Sequence, residues 1–403
     1  MPPLTLRGVE SDDELALAND LMGRVHFQDY SPGGRWLRES GAGYPGFRRE
    51  HTRIALVQGH LAGALRLTTD TIRIGEARLR MGGLGCVTTA GPYRHQGVAR
   101  ELISDTLRYM RAHNYHVSML FGIPNFYHRF GFATSLPEYA TVISVREAFS
   151  VEHAPCKPRD IKPGDIRAIQ KIHEENDPGI PCSLVRSAAH ITNQWHRWKD
   201  TQVLMDEKGK VLAYYVPAVL DDELQVLDVG ITHFRFCGSL LHACARKARE
   251  SSCGRIRFLA PPAHPLMQYL LRFRSMQETL IRRDEGGMMA FADLGEALES
   301  MLPEWELRLQ DSELREQEAE VTLLIARSPI RLRAHRGALS IATAPGTNKV
   351  SLSTLDLMHL VTGYRYAEEI LAAERRILTP NARALLETIF PKRNPYVWHN
   401  DRF

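Results

Sequence analysis

Arg94-His95-Gln96-Gly97-Val98-Ala99 stands where a β-prone stretch gives way to residues at helical spacing, Val98, Leu102, Thr106, Leu107 and Met110. The first turn of that predicted helix opens near Gly97, and its N–H groups have no carbonyl partners within the helix. Together with the positive end of the helix dipole they form a seat for an anion such as pyrophosphate. Gly97 lets the backbone approach such a ligand closely, and Ala99 adds no bulk. A second segment follows downstream. Residues 115–121 read as a strand, Gly122-Ile123-Pro124-Asn125 as a turn, and Phe126-Tyr127-His128-Arg129-Phe130 as one short helix stopped by Gly131. Phe126, Phe130 and Phe132 read as core aromatics, and Tyr127 reads either as amphipathic packing or as a hydroxyl available for chemistry.

The elements that position these groups follow from patterning along the chain. Residues 81–89, Met-Gly-Gly-Leu-Gly-Cys-Val-Thr-Thr, are glycine-rich and then β-prone, and they lead into the anion seat. Residues 224–274 repeat the plan. There, 224–231 read as a strand, Arg235-Phe236-Cys237-Gly238 repeats the Arg-x-x-Gly spacing, a helix runs to 250, and Ile256-Arg257-Phe258-Leu259 is apolar. Leu270-Leu271-Arg272-Phe273 falls where Tyr127-His128-Arg129-Phe130 falls in the first copy, 35 residues from Gly238 to Phe273 against 33 from Gly97 to Phe130. Leu270 thus replaces Tyr127, and Phe236 and Leu240 put bulk in place of His95 and Ala99, so this copy is expected not to hold the same ligand productively. After Gly286-Gly287 the pattern changes: 305–309, 320–325 and 330–333 alternate in part as strands do, and helices are expected around 355–361, 367–375 and 381–390. The expected division is 1–150, 151–288 and 289–403.

The two chemistry-bearing segments resemble the acetyl-CoA site of the GNAT N-acetyltransferases. The resemblance implies that Arg94, His95, Gln96, Gly97, Val98, Ala99 and Arg100 hold the pyrophosphate, and that Val87, Thr88, Thr89, Gly122 and Ile123 meet the pantetheine arm and acetyl carbonyl. It makes Tyr127 the proton donor to the departing thiolate. A thiol titrates near 8.5 and a tyrosine near 10, so full proton transfer from Tyr127 is uphill by about 2 kcal/mol, and a strengthening hydrogen bond is its less costly contribution. Leu355 to Gly363 and the run ending Ile389-Phe390-Pro391 resemble a sterol-carrier-protein-like domain, read either as an apolar lipid groove or as a scaffold. Two GNAT-like units followed by such a module is the architecture of the Eis (enhanced intracellular survival) acetyltransferases. The expected fold class is therefore α/β (α+β), tandem GNAT acyltransferase folds with a C-terminal α+β domain. In that family the α-carboxylate of an aromatic final residue acts as general base in the first unit, and the matching residue here is Phe403. Pro391, Pro395, Tyr396, Trp398 and Phe403 make the tail stiff and apolar, unlike a solvated end.

The implied activity is direct transfer of acetyl from acetyl-CoA to a primary amine (aminoglycoside, polyamine or lysine-like), in a homo-oligomer with a hexamer as the family's order. The competing reading is a non-catalytic acetyl-CoA-sensing or lipid-binding protein. Cys86 as a covalent acetyl carrier is a further alternative, without an evident base beside it. Asp29, Glu39 and Glu50, in the loop-rich stretch 28–50, are candidates to hold cationic substrates, with Phe27 and Trp36 as walls or core. The net charge of +4, from 51 basic and 47 acidic residues mixed along the chain, gives no nucleic-acid footprint. The first residues lack a signal-peptide core, and no uncharged run of about 18 residues exists to span a bilayer, so a cytoplasmic protein is expected. The six cysteines form no Cys-x-x-Cys pair, and Cys237, Cys244 and Cys253 near His242 read as buried thiols in preference to a metal site. No metal is expected.

Overall fold

Apolar runs broken by tight turns fold the start of the chain into an antiparallel meander. Its strands are β1 (Leu4–Gly8), β2 (Thr52–Val57), β3 (His60–Ile74) and β4 (Ala77–Thr89), and Gln58 and Gly59, both at positive φ, make the two-residue turn from β2 to β3. β5 (Val117–Gly122) and β6 (Ala133–Leu136) follow, then β7 (Glu138–Ser144), β8 (Lys157–Asp160), β9 (Gln202–Met205), β10 (Val211–Leu220), β11 (Glu223–Ile231), β12 (Arg255–Phe258), β13 (Ser275–Leu280) and β14 (Gly286–Phe291). The last part supplies β15 (Glu318–Ile325), β16 (Ser328–His335), β17 (Ala338–Ala342) and β18 (Lys349–Leu352). The computed structural model describes residues 3–27, 32–39, 41–372 and 378–403.

These strands build two seven-stranded sheets, β1-β2-β3-β4-β5-β14-β6 and β13-β7-β12-β11-β10-β9-β8, and a four-stranded sheet, β17-β16-β15-β18. The fold is α/β (α+β) with tandem GNAT-like sheets, as the sequence led us to expect. The first two sheets exchange strands. β7 leaves the first unit to pair with β12 and β13, while β14 crosses back to lie between β5 and β6. The sheets therefore do not follow the contiguous segments 1–150 and 151–288.

On one face of the first sheet, Leu67, Leu84 and Leu120 pack with Val98, Leu102 and Met110 of the helix Val98–Ala112. On the other face, Met81, Met119 and Met289 share one core with Leu323 of the third sheet, Leu357, Leu385 and Phe390. Two local expectations are corrected. Residues 305–309 lie in a helix, Leu302–Gln310, because Trp305 and Leu309, one turn apart, are both fully buried and Glu304 pairs with Arg308 at 2.7 Å; five residues of partial alternation fit either period. The stretch 28–50 contains the helix Pro32–Glu39, whose Leu37 packs with Met22. Of the last helices, Ala367–Leu371 is shorter than expected, and residues 373–375 lie outside the described residues.

The tail runs back through the interior. Tyr396 donates its hydroxyl to the Leu259 carbonyl at 2.8 Å, and the Trp398 indole donates to Asp177 at 3.0 Å. Asp401 is fully buried and accepts from Arg186 Nε at 2.8 and 3.0 Å, while the same guanidinium binds Asp228 of β11. Removing one member of a buried ion set leaves charge without compensation, a loss of about 3 kcal/mol or more. Asp401→Ala is expected to lower the unfolding free energy by about 3 kcal/mol in urea titrations. A change below about 1 kcal/mol would show that Asp228 alone satisfies Arg186.

Candidate active site

Residues of β4 and β5 pair in parallel only at Met81, Gly82 and Gly83 opposite Val117, Ser118 and Met119. Beyond Gly83 the two strands part, although β4 continues to Thr89 and β5 to Gly122. β4 also carries a bulge here. Its register against β3 passes from Gly85 opposite Arg66 to Thr88 opposite Ala64, and Cys86 takes a φ of 52°. Such a bulge re-aims the backbone next to a site. The gap opens on a chamber of about 810 Å³, and Leu84, Gly85, Cys86 and Val87 from one strand and Phe121 and Gly122 from the other line it.

Tyr127 and Phe403 line this same chamber. Tyr127 begins a single 3-10 turn, Tyr127–Phe130, and packs edge-on to Phe126 and Phe132 with ring centroids 4.9 and 6.2 Å apart. Phe132 is fully buried, and Phe126 and Phe130 pack against the same core, as expected of core aromatics. Burial, reinforced by Cys86, pushes the Tyr127 hydroxyl up to about 12, which makes it a hydrogen-bond donor that stays protonated. The Phe403 ring fits against Gly83, where a Cβ would lie 2.5 Å from it, and the Phe403 carboxyl carbon lies 3.5 Å from the place a Gly85 Cβ would take. Arg197 fixes the approach by donating to the carbonyl oxygens of Asn400, at 3.0 Å, and Arg402.

The remaining sequence candidates divide by location. Val87, Gly122 and Ile123 line the chamber, and the Val87 carbonyl lies 3.1 Å from His26 Nε2. Thr88 and Thr89 continue β4 away from it, paired with Ala64 and Gly63. Arg94, His95, Gln96, Gly97, Val98, Ala99 and Arg100 form the exposed turn and first helical turn that follow, outside the chamber lining. Gly97 sits at the helix N-cap with φ 79°, the left-handed conformation that suits glycine. Glu39 and Glu50 do not line the chamber; Glu50 lies 3.8 Å from Arg48 and 3.5 Å from the Tyr109 hydroxyl. Asp29 lies outside the described residues. Phe27 is a wall, whereas the Trp36 indole is held by Asn193 at 3.1 Å. The acids that do line the chamber are Glu138, Asp200 and Glu285, beside Arg197, Arg282 and Arg402. Sequence reasoning missed all six, because five of them lie beyond residue 150 and Glu138 starts the exchanged strand β7.

At the matching place of the second copy the protein packs against itself. Segment 151–156 crosses the start of the helix Cys237–Glu250: the Glu152 carbonyl packs onto Gly238, and Ser239 donates to the Ala154 carbonyl at 2.8 Å. β11 pairs with β12 only from Glu223 to Val226, and Tyr396 and Trp398 pack into the core formed there with Val229 and Leu266. Cys237, Cys244 and Cys253 are buried free thiols, and no cluster of three metal-ligating side chains occurs among the described residues. Nor is any helix among them long and apolar enough to cross a membrane.

His399 supplies a pH probe of the site. Burial first, then Arg402 and Arg197, pushes its imidazole down to about 4, whereas an unfolded histidine titrates near 6.5. Between those values the unfolded chain binds a proton that the folded chain refuses, so this contribution to stability is present above the upper value and is lost as pH falls toward the lower one. His399→Gln is expected to flatten the pH dependence of unfolding free energy in that window, by well under the ~1.4 kcal/mol per pH unit of a fully buried group, because His399 keeps part of its surface in solvent. An unchanged slope would mean that the imidazole is solvated.

Comparison with known proteins bears on the fold. Residues 9–135 match the family model of the acetyltransferase (GNAT) domain. Curated protein sequences gave no match. Among solved structures, a GCN5-related N-acetyltransferase from Anabaena variabilis superposes with a TM-score of 0.76 at 16% identity, covering 100% of both chains. One from Kribbella flavida gives 0.74 at 17%, covering 100% of this chain and 98% of that one. Eis1 from Mycobacterium abscessus gives 0.68 at 14%, covering 99% and 100%. At such identities the likeness is one of fold. The chain thus carries a GNAT acetyltransferase domain at residues 9–135, within a fold that these solved proteins share over their length.

Proposed function

We propose that the protein is an N-acetyltransferase of the Eis type, which moves the acetyl group of acetyl-CoA onto a primary amine in a ternary complex. One observation carries this reading: β4 and β5 part over a chamber where the Tyr127 phenol and the Phe403 carboxyl end are both walls. The thioester enters between the strands, with its pyrophosphate at Arg94 to Arg100 and its carbonyl toward the β4 backbone around Val87, whose amides meet the oxyanion as it forms. The amine nitrogen attacks the thioester carbon, the tetrahedral intermediate collapses, and the thiolate leaves toward Tyr127. With its hydroxyl at about 12, full proton transfer to a thiolate is uphill by about 5 kcal/mol, so Tyr127 acts through a hydrogen bond that strengthens as charge reaches sulfur.

A C-terminal carboxylate titrates near 3.5 and an alkyl ammonium near 10, so one-step deprotonation costs about 9 kcal/mol. The Phe403 carboxylate therefore attracts the ammonium form and passes its proton on through water. Cys86 does not suit a covalent carrier: burial, opposed by Arg66 and Arg197, pushes its thiol up to about 11. The C-terminal α+β region, sterol-carrier-like in this reading, acts as the scaffold that delivers the tail; its core is continuous with that of the first sheet. Segment 151–156 and the tail make the second unit a non-binding partner.

The test is thiol release from acetyl-CoA with a panel of amines. Tyr127→Phe is expected to lower kcat by about a hundred- to a thousandfold, the range for one transition-state hydrogen-bond donor. Adding two glycines after Phe403, or deleting Phe403, is expected to lower kcat at least as far with acetyl-CoA affinity unchanged. Full turnover in both tail variants would remove the carboxylate from the mechanism.

A further inference from the structure

Three guanidinium groups line the chamber, and two of them are engaged. Arg197 donates to backbone carbonyls of the tail, and Arg282 lies 3.6 Å from Glu138 and 3.3 Å from Glu285. Arg402 differs. Its guanidinium lies over the Phe121 ring, 4.9 Å from the centroid, and its Nε is buried without a hydrogen-bond partner. Among the described residues no carboxylate forms an ion pair with it and no acceptor takes its terminal nitrogens. The nearby imidazoles of His196 and His399 are each pushed down to about 4, by burial first and adjacent cations second, so both are neutral at pH 7.

A planar cation stacked on an aromatic face with its outer N–H groups open is arranged to receive a carboxylate in two parallel hydrogen bonds. The surroundings say which reactant brings that carboxylate. Arg402 lines the chamber together with Phe403 and with Val216 and Leu227 of the second sheet, whereas residues 94–100, where the proposed reading seats the pyrophosphate, contribute nothing to the lining. The open cation therefore faces the acceptor. We propose that Arg402 is a specificity residue that binds a carboxylate carried by the amine substrate, so that the acceptor is an amino acid or a related zwitterion and not a polycation. This deepens the reading of the chamber as an amine acetylation site and rests on it. It also gives the rest of the wall a role: Phe27, Phe121 and Leu227 suit an apolar side chain between the two charged ends.

The experiment compares matched amines that differ by one carboxylate, phenylalanine with phenethylamine and lysine with cadaverine, using acetyl-CoA and the full chain. In the wild type the carboxylated member of each pair is expected to have kcat/KM at least about tenfold higher, the range of a charge-assisted hydrogen bond. Arg402→Gln is expected to collapse that ratio through the KM of the carboxylated member, Arg402→Lys to restore part of it, and the Kd of acetyl-CoA to stay the same in both. An equal effect on both members would reduce Arg402 to a support of the tail and overturn the proposal. So would a wild-type preference for the diamine, or weaker acetyl-CoA binding in Arg402→Gln, which would put the anion on the donor. Acetyl transfer without carboxylate preference defeats this inference alone; no transfer to any amine defeats the acetyltransferase reading as well.

Discussion

Arg186 is the hinge of the molecule's logic. It is buried between Asp228 of the second sheet and Asp401 of the tail, and ions in an apolar interior persist only in company, because stripping each one of water costs several kcal/mol. The set reaches the first sheet too, through His190 Nε2 at 3.2 Å from Asp401, the Tyr44 hydroxyl at 3.1 Å from His190 Nδ1, and Asp70 of β3, which accepts from Tyr44 at 2.8 Å. Two sheets and the tail are thus tied by one chain of polar contacts. That chain holds the tail at Asp401, and the residues after it are the ones that reach the chamber between the parted strands.

The same backbone device is used twice with opposite results. Parallel neighbours that separate part-way leave unpaired backbone and a wedge of space, which must be filled by something. In the first sheet the opening leads to the chamber. In the second, the wedge beyond Val226 takes Tyr396 and Trp398, and the helix start beside it takes segment 151–156. The wedge of the second sheet thus holds the aromatic side chains that anchor the tail on its way to the first.

How much of this was legible in the sequence depended on range. The turn at Arg94 to Gly97 and the short helix that begins at Tyr127 are local, so patterning placed both elements, and the left-handed Gly97 is a property of a few consecutive residues. Glu138, Asp200, Glu285, Arg197, Arg282 and Arg402 meet only through tertiary structure, and no periodicity relates them. Glu39 and Glu50 were reasonable candidates by chemistry, yet they lie outside the chamber lining. The segment 305–309 was misread because Trp305 and Leu309 satisfy a helix turn as well as an alternation. Strand exchange was invisible for a deeper reason: alternation marks a residue run as a strand without saying which sheet it joins.

That exchange has a consequence for how the molecule can come into being. β5 has no partner on one side until β14 is made, more than 160 residues later, and β7 waits for β12 and β13. An emerging chain therefore carries open β edges for a long interval, the condition under which partly folded proteins stick to one another. Neither GNAT-like unit is a separable module that cutting or shuffling could free, and an expression fragment ending near residue 150 would offer a sheet with a vacant slot.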